Sequence, residues 1–297
     1  MELTWKIYLR IWRQSVFAAF DHGVLGTAKA AAYSALLSFF PVLTSSAAIL
    51  VQTKAEFVSK TISEFLFEVV PPGAEDVVRY QFASKGQRPL LLLVLAALLS
   101  VWAASALVGS LLQGFQRAYR IERGRPMLRN MGLCMLLVVL SSVPWLAACG
   151  LILFGGFIDG LVMKVLAMKG LGMDPLLEQV TFSWRLFTHL ARYGVAFGAC
   201  VAATMLLYYY GPYRRQRWSA VWRGAVLATV LWLLATGGFA WYVQHLANYN
   251  VLYGSVGTSI ALLVWMYLMS LIALLGCEFN AEYERVTRPM PFNMPSF

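Results

Sequence analysis

One apolar run limits what this chain can fold into more than any other feature. It extends from Val256 to Cys277, follows a short loop, and ends where charged residues return at Glu278. A helix that crosses a bilayer needs about 20 mostly apolar residues, whereas a soluble amphipathic helix repeats its apolar residues about every 3.6 positions. The run therefore predicts a transmembrane helix, and we expect the other spans to be arranged around it.

The composition supports several such helices. Hydrophobic residues make up 60% of the 297 residues and charged residues 13%, against about 45–50% and about 25% in an average soluble domain. The apolar residues also fall in blocks of about 20. We predict an all-α polytopic membrane protein, a bundle of six transmembrane helices. The predicted spans are about 28–51, 89–113, 130–157, 186–210, 224–246 and 255–277.

The segments between the spans complete the predicted domain organisation. Residues 1–27 form an amphipathic helix with an aromatic and aliphatic face and a cationic stripe, which docks either in the headgroup layer or on the protein's own loops. Residues 52–89 form an insert of two short amphipathic helices on the outer face. A loop of mixed charge is expected from Asp159 to about Ser183. The membrane domain covers 28–284, and 285–297 is a tail.

The basic residues predict the orientation. The net charge is +10, and arginines are densest in two short loops, 117–129 and 214–223. Short loops rich in Lys and Arg stay on the cytoplasmic side, so both termini are expected in the cytoplasm. The positive charge is then a topology signal, and no nucleic-acid partner is expected, because the sequence shows no interleaving of aromatic and basic residues and no RNA-binding module.

Polar residues on two spans suggest contacts with a ligand. Ser34, Ser38 and Pro41 share one face of the first span, where Pro41 is expected to kink the helix. Such a face lines a polar cavity or packs closely on a neighbouring helix. Arg192 lies near the start of the fourth span, where it snorkels to the interface or contacts an anionic headgroup.

The last span carries the remaining candidates. Ser255 and Ser259 lie near one face of its helix, and Glu278 stands at its far end. An acid at that position is solvated, paired with a loop arginine, or used for coupling to a proton or ion.

Motifs for catalysis and cofactor binding are absent from the sequence. It contains no HExxH, CxxC, GxSxG or GxxxxGK[ST] pattern, and its three histidines are far apart in the predicted topology. The four cysteines lie in apolar runs and are expected to be small buried residues rather than disulfides or metal ligands. We therefore predict no catalytic residue, metal site or cofactor, and no enzyme.

Three segments together carry a resemblance to a known family. The first is AAAYSALLSFFP at 30–41; the second is Tyr210-Gly211-Pro212, followed by arginines and Gly224-Ala225; the third is YGSVG at 253–257 with LLGCEFN at 274–280. In this order and spacing the chain resembles the YihY/BrkB family of bacterial inner-membrane proteins. Arg223 and Cys277 depart from the family pattern, which more often has proline and alanine there.

The resemblance implies a six-span protein of the bacterial inner membrane. Some members carry a legacy ribonuclease BN label, and others are linked to export of envelope lipid or lipopolysaccharide. The expected function is transport or translocation of a lipid, another amphipathic envelope component or another small solute, with membrane lipids as partners, including an anionic lipid or a lipopolysaccharide-related glycolipid. The alternative is a scaffold or regulator of envelope assembly that binds an envelope protein through 52–89. A membrane-associated ribonuclease or hydrolase is a third interpretation.

Overall fold

A computed structural model describes residues 5–52, 90–121, 124–168, 175–214, 216–245 and 254–287. The predicted 52–89 insert, most of the loop before the last span and most of the predicted tail lie outside these residues. Within them the chain forms seven helices. Their bounds are α1 Trp5–Asp21, α2 Val24–Gln52, α3 Leu90–Ala118, α4 Met127–Met168, α5 Pro175–Tyr210, α6 Trp218–His245 and α7 Gly254–Thr287.

Five of these helices are long and apolar enough to cross a membrane alone, and a sixth span results if the bent pair α1–α2 is counted as one. The five segments are Val94–Ala118, Met127–Ala148, Leu190–Tyr210, Trp218–Tyr242 and Ser259–Thr287. The prediction of an all-α polytopic membrane protein is confirmed.

The helix α7 is the central element of the bundle. Of its most apolar stretch 44% is buried, whereas the corresponding stretches of the other four candidate spans are 11–22% buried. It packs against α1, α2, α3 and α6, and its buried residues include Leu274, Cys277 and Ala281. The other described helices are thus arranged around the helix that contains the Val256–Cys277 run.

The helices α4 and α5 are longer than the sequence predicted. The expected loop from Asp159 to about Ser183 is wrong, because α4 continues to Met168 and α5 begins at Pro175. The prediction ended each span where polar residues appeared, but an α-helix satisfies its backbone hydrogen bonds internally and needs no apolar sequence to continue. At about 1.5 Å per residue, the 42 residues of α4 and the 36 of α5 measure about 63 Å and 54 Å. Both exceed the hydrocarbon core of about 30 Å.

Small residues recur every four positions on α5, at Gly194, Gly198 and Ala202, a spacing that predicts close contact with another helix. The structure differs, because both glycines are exposed and no heavy atom lies within 4 Å of a Cβ added to either. The contacts of α5 with α4 and α6 are made by its other faces.

The helix α1 packs on α7 and also exposes apolar side chains. Ile11 is fully buried against Phe279 and Tyr283, and the Tyr8 ring stacks on Tyr283 with centroids 6.2 Å apart. Its exposed residues include the apolar side chains of Trp5, Leu9, Phe17 and Phe20. The face that contacts the protein packs on α7 rather than on loops. The exposed apolar groups are of the kind that enter the headgroup layer, and docking there stays a prediction.

A glycine turn joins α1 to α2. The chain bends by 74° between them, and Gly23 adopts a φ of 67° at the bend. Only glycine adopts this left-handed conformation without steric cost. The turn fixes His22, the residue before the glycine, beside the end of α7.

Candidate functional site

Three residues that the sequence singles out lie where α2 packs on α3. The Ser34 hydroxyl is 3.5 Å from that of Ser110 on α3, and the buried Ser38 donates a hydrogen bond to a carbonyl of its own helix. The carbonyl of Pro41 accepts a hydrogen bond of 2.8 Å from Ser100 on α3, and α2 continues as a helix through this proline. These polar groups take part in helix packing at the described contacts.

The remaining predicted residues lie at separate levels of the bundle. Arg192 is half-buried on α5, Ser259 is exposed on α7, and the side chain of Ser255 is outside the described set. Because a helix rises about 1.5 Å per residue, Ser259 and Glu278 are about 28 Å apart along α7. The structure does not bring the predicted residues into one cluster, and their role as cavity or headgroup contacts stays a prediction.

Hydrogen-bonded polar and charged side chains concentrate instead at one end of the bundle. There α3, α5 and α7 finish, α4 and α6 begin, and α1 turns into α2. We call this the arginine-rich end. It comprises residues 21–23, 117–129 and 208–224 with 278–287, excluding the undescribed 122, 123 and 215.

A buried carboxylate stands at the centre of the arginine-rich end. The Glu278 side chain is 0% exposed and its Oε1 lies 2.9 Å from His22 Nδ1. Its Oε2 is buried and has no hydrogen-bond partner among the described residues. Of the alternatives that the sequence left open, solvation and pairing with a loop arginine are both wrong. The partner is a histidine 256 positions away, delivered by the α1–α2 turn.

The side-chain amide of Asn280, two residues after Glu278, connects α7 to α6. Asn280 is 1% exposed; its Oδ1 accepts a hydrogen bond of 2.7 Å from the Gly224 backbone N–H, and its Nδ2 donates one of 2.9 Å to the Val221 carbonyl. Both functions of the amide are satisfied, as burial requires. The contact fixes the register of α7 against the first turns of α6.

Two glycines bring the same helices into close contact. A Cβ added to Gly224 would stand 2.2 Å from the Gly276 carbonyl oxygen, and one added to Gly276 would stand 2.4 Å from the Tyr208 hydroxyl. That hydroxyl donates a hydrogen bond of 2.6 Å to the Ala273 carbonyl. The approach of α5, α6 and α7 here leaves no room for any side chain larger than hydrogen.

Arginines tie the loop segments around this core. Arg125 donates hydrogen bonds to the carbonyls of Tyr210 at 2.8 Å and Gly211 at 2.9 Å, and Arg214 pairs with Glu284 at 2.6 Å. Arg285 contacts Glu282 and donates to the Ala118 carbonyl. Four helix ends are held together by guanidinium groups.

A partly open cavity of about 330 Å³ lies between these segments. Its walls are formed by Arg125, Tyr209, Tyr210, Pro212, Arg214 and Gln216. Burial lowers the pKa of Arg125 from its ordinary value, with Arg129 also lowering it. Nearby, burial raises the pKa of Tyr119 well above its ordinary value, and the negative charge of Glu284 adds to this while Arg214 opposes it. The Tyr119 phenol therefore stays neutral and protonated at physiological pH.

Sequence reasoning missed most of this site. His22 and Asn280 were not singled out as functional, and neither were Arg125, Arg214 and Gln216. A usable signal was present, because Gly211-Pro212, Gly224 and the LLGCEFN stretch at 274–280 all belong to the segments that carry the family resemblance. In the structure these segments meet at the arginine-rich end. Among the described residues no group of three or more His, Cys, Asp or Glu could hold a metal ion.

Comparison with known proteins supports the family resemblance that the sequence motifs carry. The family described as "Virulence factor BrkB" matches residues 18–293, which includes every residue of the arginine-rich end. The chain belongs to the BrkB family. Among its relatives, a UPF0761 membrane protein of Pseudoalteromonas translucida (strain TAC 125) is 27% identical over 91% of this chain and 84% of its own length.

Of two further relatives, one is also named a UPF0761 membrane protein and the other has a ribonuclease-like name. A UPF0761 membrane protein of Tolumonas auensis (strain DSM 9187 / NBRC 110442 / TA 4) is 29% identical over 84% of this BrkB-family chain and 77% of its own length. YfkH of Bacillus subtilis (strain 168), whose name describes it as ribonuclease-like, is 29% identical over 64% of this chain and 65% of its own length. No solved structure is significantly similar to the chain.

Proposed function

We propose that this BrkB-family membrane protein moves a lipid, another amphipathic envelope component or another small solute through the bacterial inner membrane. The observation that carries the proposal is the contact between Glu278, which is buried on the central span, and His22 of the α1–α2 turn. A buried pair of ionisable groups is often less stabilising than well-packed apolar residues of the same volume. Ionisable groups inside spans typically mark ion pathways and proton relays. A passive scaffold gains little from such a pair.

The position of the pair suggests what it controls. Glu278 belongs to α7, the most buried span, and His22 belongs to the turn at which the chain bends toward α1. Protonation of the Glu278 carboxylate would change the contact that holds the α1–α2 turn against α7. The other side of α1 exposes apolar side chains, so movement of α1 would alter access to the bundle from one leaflet.

An amphipathic cargo fits the surface around the pair. Arginines gather at one end of the bundle, and large apolar side chains such as Leu98, Leu146 and Leu234 are exposed along the spans. An anionic headgroup is attracted by the cations, while its acyl chains remain in contact with the apolar flanks. The combination supports a lipid-like molecule more than a small polar solute.

The experiment is translocation of fluorescent phospholipid and glycolipid between leaflets of liposomes that contain the purified protein. We expect the wild type to accelerate transfer, and Glu278→Gln to return it to the protein-free rate, because the variant keeps the shape of the side chain and loses its charge. Glu282→Gln is the matched control, since Glu282 pairs with Arg285 on the same helix outside the buried pair. Unimpaired transfer by Glu278→Gln would overturn the assignment of that residue.

A scaffold or regulator of envelope assembly is the second candidate, and the length of α4 and α5 favours it. At about 63 Å and 54 Å both helices extend beyond the hydrocarbon core, which offers a surface to a partner protein. The residues 52–89 were predicted to bind such a partner. If the wild type transfers none of the lipids tested, and deletion of 52–89 abolishes function while the spans stay folded, the scaffold interpretation replaces transport.

A further inference from the structure

We infer that the cavity at the arginine-rich end binds a phosphate group, carried by an anionic lipid headgroup or free in solution. The site is separate from the Glu278–His22 pair. It consists of two guanidinium groups and one amide, from Arg125, Arg214 and Gln216, with Tyr209 and Tyr210 as aromatic walls. Binding there does not depend on transport, because a headgroup can be held by a protein that moves no lipid.

The charge of the cavity favours an anion. Arg125 donates its hydrogen bonds to backbone carbonyls, and Arg129 is close enough to lower its pKa. Within the described residues, Arg214 alone of these three arginines pairs with a carboxylate, that of Glu284. Guanidinium groups bind phosphate oxygens through charge-assisted hydrogen bonds, so the excess positive charge predicts an anionic ligand.

Gln216 supplies a buried polar group that has no well-formed hydrogen bond within the described part of the chain. Both of its amide atoms are buried, and neither makes a hydrogen bond of normal geometry within the described residues, although the amide is near enough to the Tyr119 hydroxyl to interact with it. A buried amide without good partners is costly. The amide N–H groups at the cavity wall would be satisfied by phosphate oxygens.

The location of the cavity indicates that a lipid headgroup is the nearest source of phosphate. The cavity lies where α5 ends, at Tyr209 and Tyr210, and just before α6 begins at Trp218. Tyr and Trp are enriched at the headgroup level of membrane proteins, and the Tyr209 ring stacks on Trp218 with centroids 4.4 Å apart. A lipid phosphate would reach the site without leaving its leaflet.

The test is ligand binding to the full chain in maltoside detergent, which contains no phosphate. Phosphatidic acid and inorganic phosphate are added separately, and a sulfonate glycolipid serves as the anionic lipid without phosphate; native mass spectrometry gives the stoichiometry and thermophoresis the affinity. We expect one phosphatidic acid per chain. Gln216→Glu and Arg214→Gln should each weaken binding about tenfold, the loss expected for one charge-assisted hydrogen bond or one added repulsion.

The controls distinguish the outcomes. Arg217→Gln removes an exposed arginine of the same segment that does not line the cavity, so its affinity should match the wild type. Competition by inorganic phosphate would identify free phosphate as the ligand, and its failure to compete would identify the headgroup; both support the site. Equal binding of the sulfonate glycolipid, or wild-type affinity in both Gln216→Glu and Arg214→Gln, would overturn it. A failed translocation assay leaves this result unchanged.

Discussion

At the residue scale, the closest packing in the described structure involves Gly276. Its Cα lies against the Tyr208 hydroxyl and the Gly224 carbonyl oxygen. One turn further along α7, the Asn280 side chain accepts a hydrogen bond from the Gly224 N–H. Close backbone approach through small residues is a main source of helix association in membranes, where the hydrophobic effect between helices is missing. The identity of these residues is therefore set by space and by hydrogen bonding rather than by hydropathy.

Gly276→Ala should destabilise the protein strongly. The new methyl group would stand 2.4 Å from Tyr208 Oη and 2.8 Å from the Gly224 oxygen, and overpacking of this kind costs about 1–3 kcal/mol. Thermal unfolding in detergent measures the loss. Gly198→Ala is the matched control, because no heavy atom lies within 4 Å of its added Cβ and alanine is the better helix former; it should be neutral or stabilising. Equal melting temperatures for the two variants would contradict the packing argument.

At the element scale, the joint between α1 and α2 determines where His22 lies. Gly23 has a φ of 67°, and the turn is closed by hydrogen bonds from the Gly26 and Thr27 N–H groups to the Gly23 carbonyl. Arg117 on α3 also donates to the Thr27 hydroxyl at 3.0 Å. Hydrogen bonds within the turn and a hydrogen bond from α3 thus both hold the turn in place.

Gly23→Ala should strain this joint. A left-handed conformation costs an alanine about 1–2 kcal/mol, so we expect a lower melting temperature and a weaker hold of α1 on α7. Gly26→Ala, three residues away, serves as the control: it has a helical conformation and open space around its added Cβ, and should not lower stability. Limited proteolysis between α1 and α2 should cut the first variant faster than the second. Identical cleavage of both would show that the turn carries no strain.

The helices also show which parts of the fold could be predicted from the sequence. The five unbroken spans were predictable, because an apolar run of bilayer length has few alternatives in water or lipid. The extension of α4 and α5 was not, since nothing in the polar residues after 157 distinguishes a loop from a helix that leaves the membrane. The partner of Glu278 was beyond sequence reasoning, because His22 reaches it only through a turn whose geometry depends on one glycine.

At the scale of the whole molecule, the distribution of charge predicts an orientation. The arginine-rich end gathers Arg117, Arg120, Arg125 and Arg129 with Arg214, Arg217 and Arg223, and cytoplasmic loops are enriched in such residues. We propose that this end faces the cytoplasm.

Reporter fusions test that orientation. Green fluorescent protein fused after Ile121, Arg214 or Thr287 should fluoresce, and alkaline phosphatase fused after Gln52, Met168 or His245 should be active, because fluorescence requires the cytoplasm and phosphatase activity requires export. Each reporter placed at the other set of positions provides the control. The reverse pattern would place the arginine-rich end outside.

The burial of α7 also has a consequence for biosynthesis. Among the seven described helices it is the last to be synthesised, and α1, α2, α3 and α6 pack against it. Until it has entered the bilayer, α2, α3 and α6 cannot complete their shared core, Gly224 has no partner and His22 has no carboxylate. The core of the bundle therefore closes around α7 only after the other described helices have been made.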